Sequence, residues 1–303
     1  MRKPPFLQPG DTIGITATAR KISPAELNYA VACIEEQGYR VKLGRHLFAE
    51  DHQFAGNDAQ RAADFHSMID DAEVKAILIA RGGYGTMRMV DLIDFSSLRE
   101  LPKWVVGYSD VTVLHSALHQ LNIPSLHATM PINFDKHREA TMSLFQWLSG
   151  NELSVQYEYN QSVNAPLFKE GTVTAPVVGG NLSLLYALQG SKTAIQTAGK
   201  ILFIEDLDEY LYHIDRMMLS LKRSGMLDNL AGLIVGGMTD MKDNAVPFGR
   251  TAEQIIAHYL PDASIPVCYD FPAGHVTFNH AVPLGVTAQL EVSANQVTFQ
   301  CKP

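Results

Sequence analysis

Cysteine is scarce in this 303-residue chain: Cys33, Cys268 and Cys301 are odd in number and far apart. A disulfide framework needs more of them, so these read as buried or free thiols in a reducing compartment. Long apolar runs are missing too, because no window reaches the roughly 18 consecutive apolar residues of a membrane-spanning helix. Positive charge is in deficit, with 24 Lys and Arg against 32 Asp and Glu and a formal net charge of −8. No basic patch interrupts that balance. This argues against a nucleic-acid partner and leaves solubility as the plain meaning of the acidity. There is no internal repeat and no low-complexity tract. The basic start, Met1-Arg2-Lys3-Pro4-Pro5-Phe6, is not followed by an apolar stretch before Pro9-Gly10-Asp11. The expectation is a cytoplasmic protein with no secretory signal and no membrane partner.

What is present suits a soluble globular chain with ample core, since 46% of residues are hydrophobic and 18% charged. The length fits two domains of ordinary size. In the first half, strands and helices alternate. Thr12 to Ala17 is β-rich, and Ser23-Pro24-Ala25-Glu26 is a helix start with a cap, a proline and a carboxylate in their favoured places. Leu27, Ala30, Val31 and Ile34 follow at helical spacing, and Gly38 closes the helix. Further strands are expected at Tyr39 to Leu43, Val74 to Ala80 and Trp104 to Gly107, with helices over Asp58 to Ile69, Met87 to Ile93 and Val111 to Leu121. Continuous apolar strands separated by amphipathic helices indicate a parallel sheet covered on both faces, with function in the loops at the strand carboxyl ends.

After Gly150 the texture changes, with β-rich runs at Leu153 to Tyr159 and Gly171 to Val178 around a polar stretch from Asn160 to Glu170. Later strands are expected at Ile201 to Ile204, Leu233 to Val235 and Gln289 to Gln300, with helices near Leu182 to Leu188, Tyr212 to Arg223 and Ala252 to Tyr259. The expected fold class is α/β. A flavodoxin-like parallel sheet with flanking helices would occupy 1–150, a linker 151–170, and a smaller mixed, β-rich domain 171–303.

Three loop positions carry chemistry. Ser109 lies between a strand ending at Gly107 and a helix with Val111, Leu114, Leu118 and Leu121 on one face. A serine in such a turn projects its hydroxyl from the sheet top beside helix N-terminal amides. The plain alternative is a helix cap by Ser109 or Asp110. Arg81-Gly82-Gly83-Tyr84-Gly85 follows the most apolar strand, and paired glycines let backbone amides approach an oxyanion or phosphate. No Gly-Lys-Ser/Thr follows, so it is no Walker loop, and a tight turn is the alternative. Glu205-Asp206 ends a strand, and His275 sits in a loop after Gly274. A serine hydrolase needs a base and an orienting carboxylate, and the order Ser, Glu, His is permissible. His115 and His119 have metal-ligand spacing, but the pair lacks the glutamate of a zinc protease and any third ligand. Asp208 and Glu209 join Glu205 and Asp206 as an acidic helix start or a hard-cation site, and Asp215-Arg216 as an ion pair or a substrate clamp.

Taken in order, Gly10-Asp11-Thr12-Ile13-Gly14-Ile15, Arg81 to Gly85, Gly107-Tyr108-Ser109-Asp110-Val111-Thr112, Gly179-Gly180-Asn181-Leu182, Phe203-Ile204-Glu205-Asp206, Asp215-Arg216-Met217 and Gly274-His275 resemble the LD-carboxypeptidase, or muramoyltetrapeptide carboxypeptidase, family. The resemblance implies a Ser-His-Glu triad of Ser109, His275 and Glu205 set between two domains. It implies oxyanion donors in the backbone N–H groups of Gly83 and Asp110, with Arg81, Gly82 and Tyr84 near substrate. It implies no metal or organic cofactor, a likeness to homodimers, and cytoplasmic murein tetrapeptides as substrates, cut before the terminal D-Ala. The family also includes microcin immunity peptidases that cleave peptidyl or aminoacyl nucleotides, partly recognised through a second-domain aromatic. Here both tryptophans, Trp104 and Trp147, lie in the first half, which favours the cell-wall substrate. The loop Ala17-Thr18-Ala19-Arg20 departs from the Pro-Ser or Pro-Ala of many relatives. A non-catalytic peptide- or sugar-binding module, with the glycine loop as an anion cradle, is the alternative from another class.

Overall fold

The computed structural model describes residues 3–159, 167–260 and 264–303. Strands β1 (Thr12–Thr16), β2 (Arg40–Leu43), β3 (Val74–Ile79), β4 (Trp104–Gly107) and β5 (Ser125–His127) lie parallel in the order β2-β1-β3-β4-β5. This is the flavodoxin-like order, whose switch point falls between β1 and β3. Residues Val74 and Ala76 to Ile79 are fully buried because helices cover both faces, which explains the unbroken apolar run. Helix α1 (Pro24–Glu36) begins in a capping box: Ser23 accepts from the Glu26 N–H, and the Glu26 carboxylate accepts from the Ser23 N–H at 2.8 Å. Its buried stripe is Leu27, Ala30 and Ile34. Helix α2 (Asp58–Asp70) has the same box from Asn57 and Gln60.

The second sheet holds β6 (Leu153–Glu158), β7 (Gly171–Asn181), β8 (Ile201–Leu207), β9 (Gly232–Thr239), β10 (Val267–Cys268), β12 (Thr287–Val292) and β13 (Gln296–Cys301). Its order is β10-β9-β8-β7-β12-β13-β6. Neighbours from β7 to β10 are parallel, whereas β12, β13 and β6 are antiparallel. The chain is therefore α/β, with five parallel strands from its N-terminal half in the first sheet and a mixed second sheet. The parallel half is buried, while β12 alternates exposed and buried residues because one face meets water.

Several expectations need correction. Met87 to Ile93 is not one helix but α3 (Thr86–Met89) followed by a 3-10 turn at Val90–Leu92. Gln289 to Gln300 is a hairpin, since Ser293 donates its N–H to the Gln296 carbonyl at 2.9 Å and reverses the chain. Strand β5 and the helix Arg138–Leu148 escaped the sequence reading. Within 151–170, residues 160–166 lie outside the described residues, and the β-rich run expected from Leu153 is the edge strand Leu153–Glu158 of the second sheet. Strand β11 (Val282–Leu284) returns to the first sheet and pairs antiparallel with β5. One continuous apolar core consequently runs from Ile13 and Leu126 of the first sheet through Val282 to Val178 and Phe203 of the second.

Candidate active site

Strand β4 stops at Gly107, and Ser109–Val111 forms a single 3-10 turn before α5 (Thr112–Gln120). A Cβ at Gly107 would lie 2.7 Å from Val111 Cγ2, so the turn is tight enough to demand glycine. Ser109 has φ +63°, a left-handed conformation that costs a serine about 1–3 kcal/mol and marks functional turns. Neither Ser109 nor Asp110 caps α5. The Asp110 carboxylate instead accepts from the Thr86 N–H at 2.7 Å, on the segment that follows the glycine loop. It is 1% exposed, and burial raises its pKa despite that bond. Asp110 therefore ties the serine turn to the glycine loop.

That loop lies at the switch point, beside the turn that follows β1. A Cβ placed at Gly82 would sit 3.4 Å from Ser109 Oγ, so backbone and nucleophile candidate are neighbours. Gly83, at φ +115°, lies under Arg20, whose Cδ would be 2.4 Å from a Cβ there. Arg20 is exposed, and among the described residues no carboxylate pairs with its guanidinium. Arg81 is engaged elsewhere, donating to the Lys21 carbonyl at 3.3 Å and lying 3.5 Å from the Glu26 carboxylate. Tyr84 is 51% exposed, with its ring 6.2 Å from Phe54.

Glu205 sits at the carboxyl end of β8, where the register against β9 shifts between Ile204 and Asp206. Such irregularities re-aim side chains beside active sites. Its Oε2 accepts from His275 Nδ1 at 2.6 Å and from the His275 N–H at 3.1 Å. Gly274 makes the approach possible: at φ +101°, a Cβ would come within 2.7 Å of Glu205 Cβ, Cγ and Oε2. Burial pushes the Glu205 carboxyl up, but His275 and then His127 outweigh it and hold the pKa at about 2. Burial alone would lower the His275 pKa, and the Glu205 carboxylate reverses this and raises it. The pair is an ionised carboxylate orienting an imidazole and increasing its basicity.

Tyr108, adjacent to Ser109, connects the two halves of the site. Its ring lies 4.9 Å from that of His275, and its hydroxyl accepts from Asn133 Nδ2 at 3.0 Å. A cavity of about 260 Å³ opens beside them, lined by Tyr108, Thr129, Asn133, Lys136, His275 and Thr277. A second, of about 480 Å³, lies on the other side of the His275 loop against Met238, Asp270, Phe271 and Phe278. The ion-paired imidazole of His275 thus meets the ring of Tyr108, the residue next to the strained Ser109.

The remaining sequence candidates have structural partners. His115 commits its ring nitrogens to Ser125 Oγ at 2.8 Å and the Gly107 carbonyl at 2.9 Å. Asp206 bonds Asn181 Nδ2 and the Ser183 N–H, and burial with repulsion from Glu205 raises its pKa to about 7. Asp208 pairs with Lys242 and Glu209 with His213. Asp215 accepts from the Tyr259 hydroxyl, while Arg216 stacks over Tyr212, so the two do not pair with each other. His127, Arg20 and Asn133 were missed as site residues. Only Arg20 left a signal, as a departure in the loop after β1.

Comparison with known proteins now bears on this cleft. Residues 13–128 match the LD-carboxypeptidase N-terminal domain and residues 174–290 the LD-carboxypeptidase C-terminal domain. The chain belongs to the LD-carboxypeptidase family. It is a serine peptidase of that family, a hydrolase. Over 98% of its length it is 38% identical to the probable murein peptide carboxypeptidase of Bacillus subtilis, covering 94% of that protein. The crystal structure of muramoyltetrapeptide carboxypeptidase from Oxalobacter formigenes superposes with a TM-score of 0.87 at 26% identity, over 96% of this chain and 99% of that one. The microcin C7 self-immunity protein MccF of Escherichia coli is 23% identical over 96% of this chain and 93% of its own. Among the described residues, no helix of this LD-carboxypeptidase is long and apolar enough to cross a membrane.

Proposed function

We propose that this LD-carboxypeptidase removes the terminal D-Ala from murein tetrapeptides in the cytoplasm, with Ser109 as nucleophile, His275 as base and Glu205 orienting the imidazole. The observation that carries the reading is the 2.6 Å contact of the buried Glu205 with His275 Nδ1, which leaves Nε2 to exchange protons. Ser109 attacks the carbonyl of the L-centre that precedes D-Ala, and His275 takes the hydroxyl proton. The N–H groups of Gly83 and Asp110 receive the developing oxyanion. As the C–N bond breaks, His275 returns that proton to the amine of D-Ala. Water deprotonated by His275 then cleaves the acyl-enzyme and frees Ser109.

Recognition of the free carboxylate falls better to Arg20 than to Arg81. Arg81 is already paired with Glu26, whereas Arg20 lies across Gly83 in the same loop whose Gly82 touches Ser109. Terminal carboxylate and scissile carbonyl belong to consecutive residues, whose Cα atoms are about 3.8 Å apart, so their receptors must be neighbours. Gly82 and Tyr84 are assigned to the same rim. The reading includes a homodimer, a two-domain division near 150–170, and neither a nucleic-acid nor a membrane partner.

S109A tests the reading: D-Ala release from a murein tetrapeptide should vanish while the fold is kept, and unchanged turnover would sink it. The microcin-type alternative is separated by offering an aminoacyl sulfamoyl adenylate as ligand. Both tryptophans are buried against Phe6 and offer no exposed face for a base, which favours the peptide substrate. Ligand binding with no turnover of either class would instead indicate a binding module.

A further inference from the structure

Among the described residues, three buried polar atoms behind the proposed triad lack a hydrogen-bond partner and lie together: Glu205 Oε1 and both ring nitrogens of His127. His127 Nε2 is 3.8 Å from Glu205 Oε1, and both side chains are fully buried. Stranding such groups is costly, and where proteins keep them they often mark catalytic or moving parts. His127 ends β5 and is paired in register with Gly107, two residues before Ser109. Its ring meets Phe203 of the second sheet edge-on at 4.9 Å and Tyr108 at 6.0 Å. The titratable groups facing it are Tyr108 and His115 from its own side and Glu205 from the other. His115 has both nitrogens committed and Tyr108 is bonded to Asn133, so Glu205 is the acceptor that remains.

We infer that His127 is a positioning residue for Glu205: when the cleft tightens on substrate, its Nε2–H donates to Oε1 while Oε2 stays on His275. The gap exceeds an N–H···O bond by about 1 Å, and contacts of this kind commonly close only in the substrate complex. The carboxylate is then held at both oxygens and cannot swing away from the base. The contact also crosses between sheets, because β5 belongs to the sheet that carries Ser109 and β8 to the one that carries Glu205. The alignment of the base thereby depends on the register of the nucleophile's domain.

The inference rests on the triad reading, so its test has one arm that needs no turnover. H127F keeps an aromatic ring against Phe203 and removes the donor, whereas H127Q keeps a donor. In H127F, kcat should fall about 10- to 100-fold, the scale of one hydrogen bond to a charged group, with KM within about twofold and the melting temperature kept. In the complex with a non-hydrolysable tetrapeptide analogue, the His275 titration followed by NMR should move upward in H127F, since Glu205 loses the donor on Oε1 and becomes a stronger base. H127Q should restore both. Wild-type kcat and His275 titration in H127F would overturn the inference. A fall in activity that tracks a lost melting temperature, with the His275 titration unmoved, would also overturn it. An S109A variant that still cleaves the peptide overturns the triad reading and leaves the His127–Glu205 contact to the NMR arm.

Discussion

Ser109 holds a left-handed backbone that alanine tolerates no better than serine does, so S109A keeps the strain and loses the chemistry. Turnover should fall by about 10⁶-fold with little change in melting temperature, measured by D-Ala release and calorimetry. S109G should be equally inactive yet more stable by about 1 kcal/mol, because glycine relieves the strain. At Glu205 the sign follows from charge. In the proposed role as base His275 must be neutral, and the neighbouring carboxylate keeps it protonated to higher pH than a free histidine. The kcat/KM of the wild type should therefore rise with pH through a midpoint above about 6.5. E205Q removes that charge, so the midpoint should move down while kcat drops by about 10⁴-fold, and a pH profile of D-Ala release checks both. R20A should raise KM about 10- to 100-fold with kcat less affected, whereas R81A should leave KM near the wild-type value.

At the scale of elements, the site depends on where strands end and which loops can approach. G274A places a methyl against the Glu205 side chain at a positive φ, so the His275 loop must shift. A loss of about 1–3 kcal/mol in unfolding free energy is expected, together with a fall in kcat and retention of secondary structure by circular dichroism. Much of this scale was legible. The capping box at Ser23, the apolar run of β3 and the strand-turn-helix around Ser109 are local patterns, and local physics decides them. Strand β5 was not, because three residues ending in a histidine carry no period that could be read. The hairpin near the C-terminus was read as one strand because Ser293-Ala294-Asn295 interrupts an otherwise continuous β pattern without glycine or proline.

For the whole molecule, the two sheets share one apolar core and are pinned together beside the serine turn. The Asn181 N–H donates to Thr112 Oγ1 at 3.0 Å, and Gly180 lies so close that a Cβ would be 2.5 Å from the same oxygen. Thermal unfolding should accordingly be one cooperative transition in calorimetry, and two resolved transitions would contradict a shared core. T112V strands the buried Asn181 N–H and should cost about 1–3 kcal/mol, with a loss of kcat because the helix after the serine turn loses its anchor on β7, where Asn181 is paired in register with Glu205 of β8.

The sequence by itself determined the class of fold, the family and the identities of Ser109, Glu205 and His275 as candidates, because strand and helix periods, caps and glycine loops are set by neighbours along the chain. Only the tertiary structure decided which groups meet. It tied the Asp110 carboxylate to Thr86, set Arg81 on Glu26 and laid Arg20 over Gly83. It also brought His127 of one sheet to face Glu205 of the other. Such contacts depend on strand order and on the packing of one sheet against the next, and no spacing in the sequence encodes a distance across that interface.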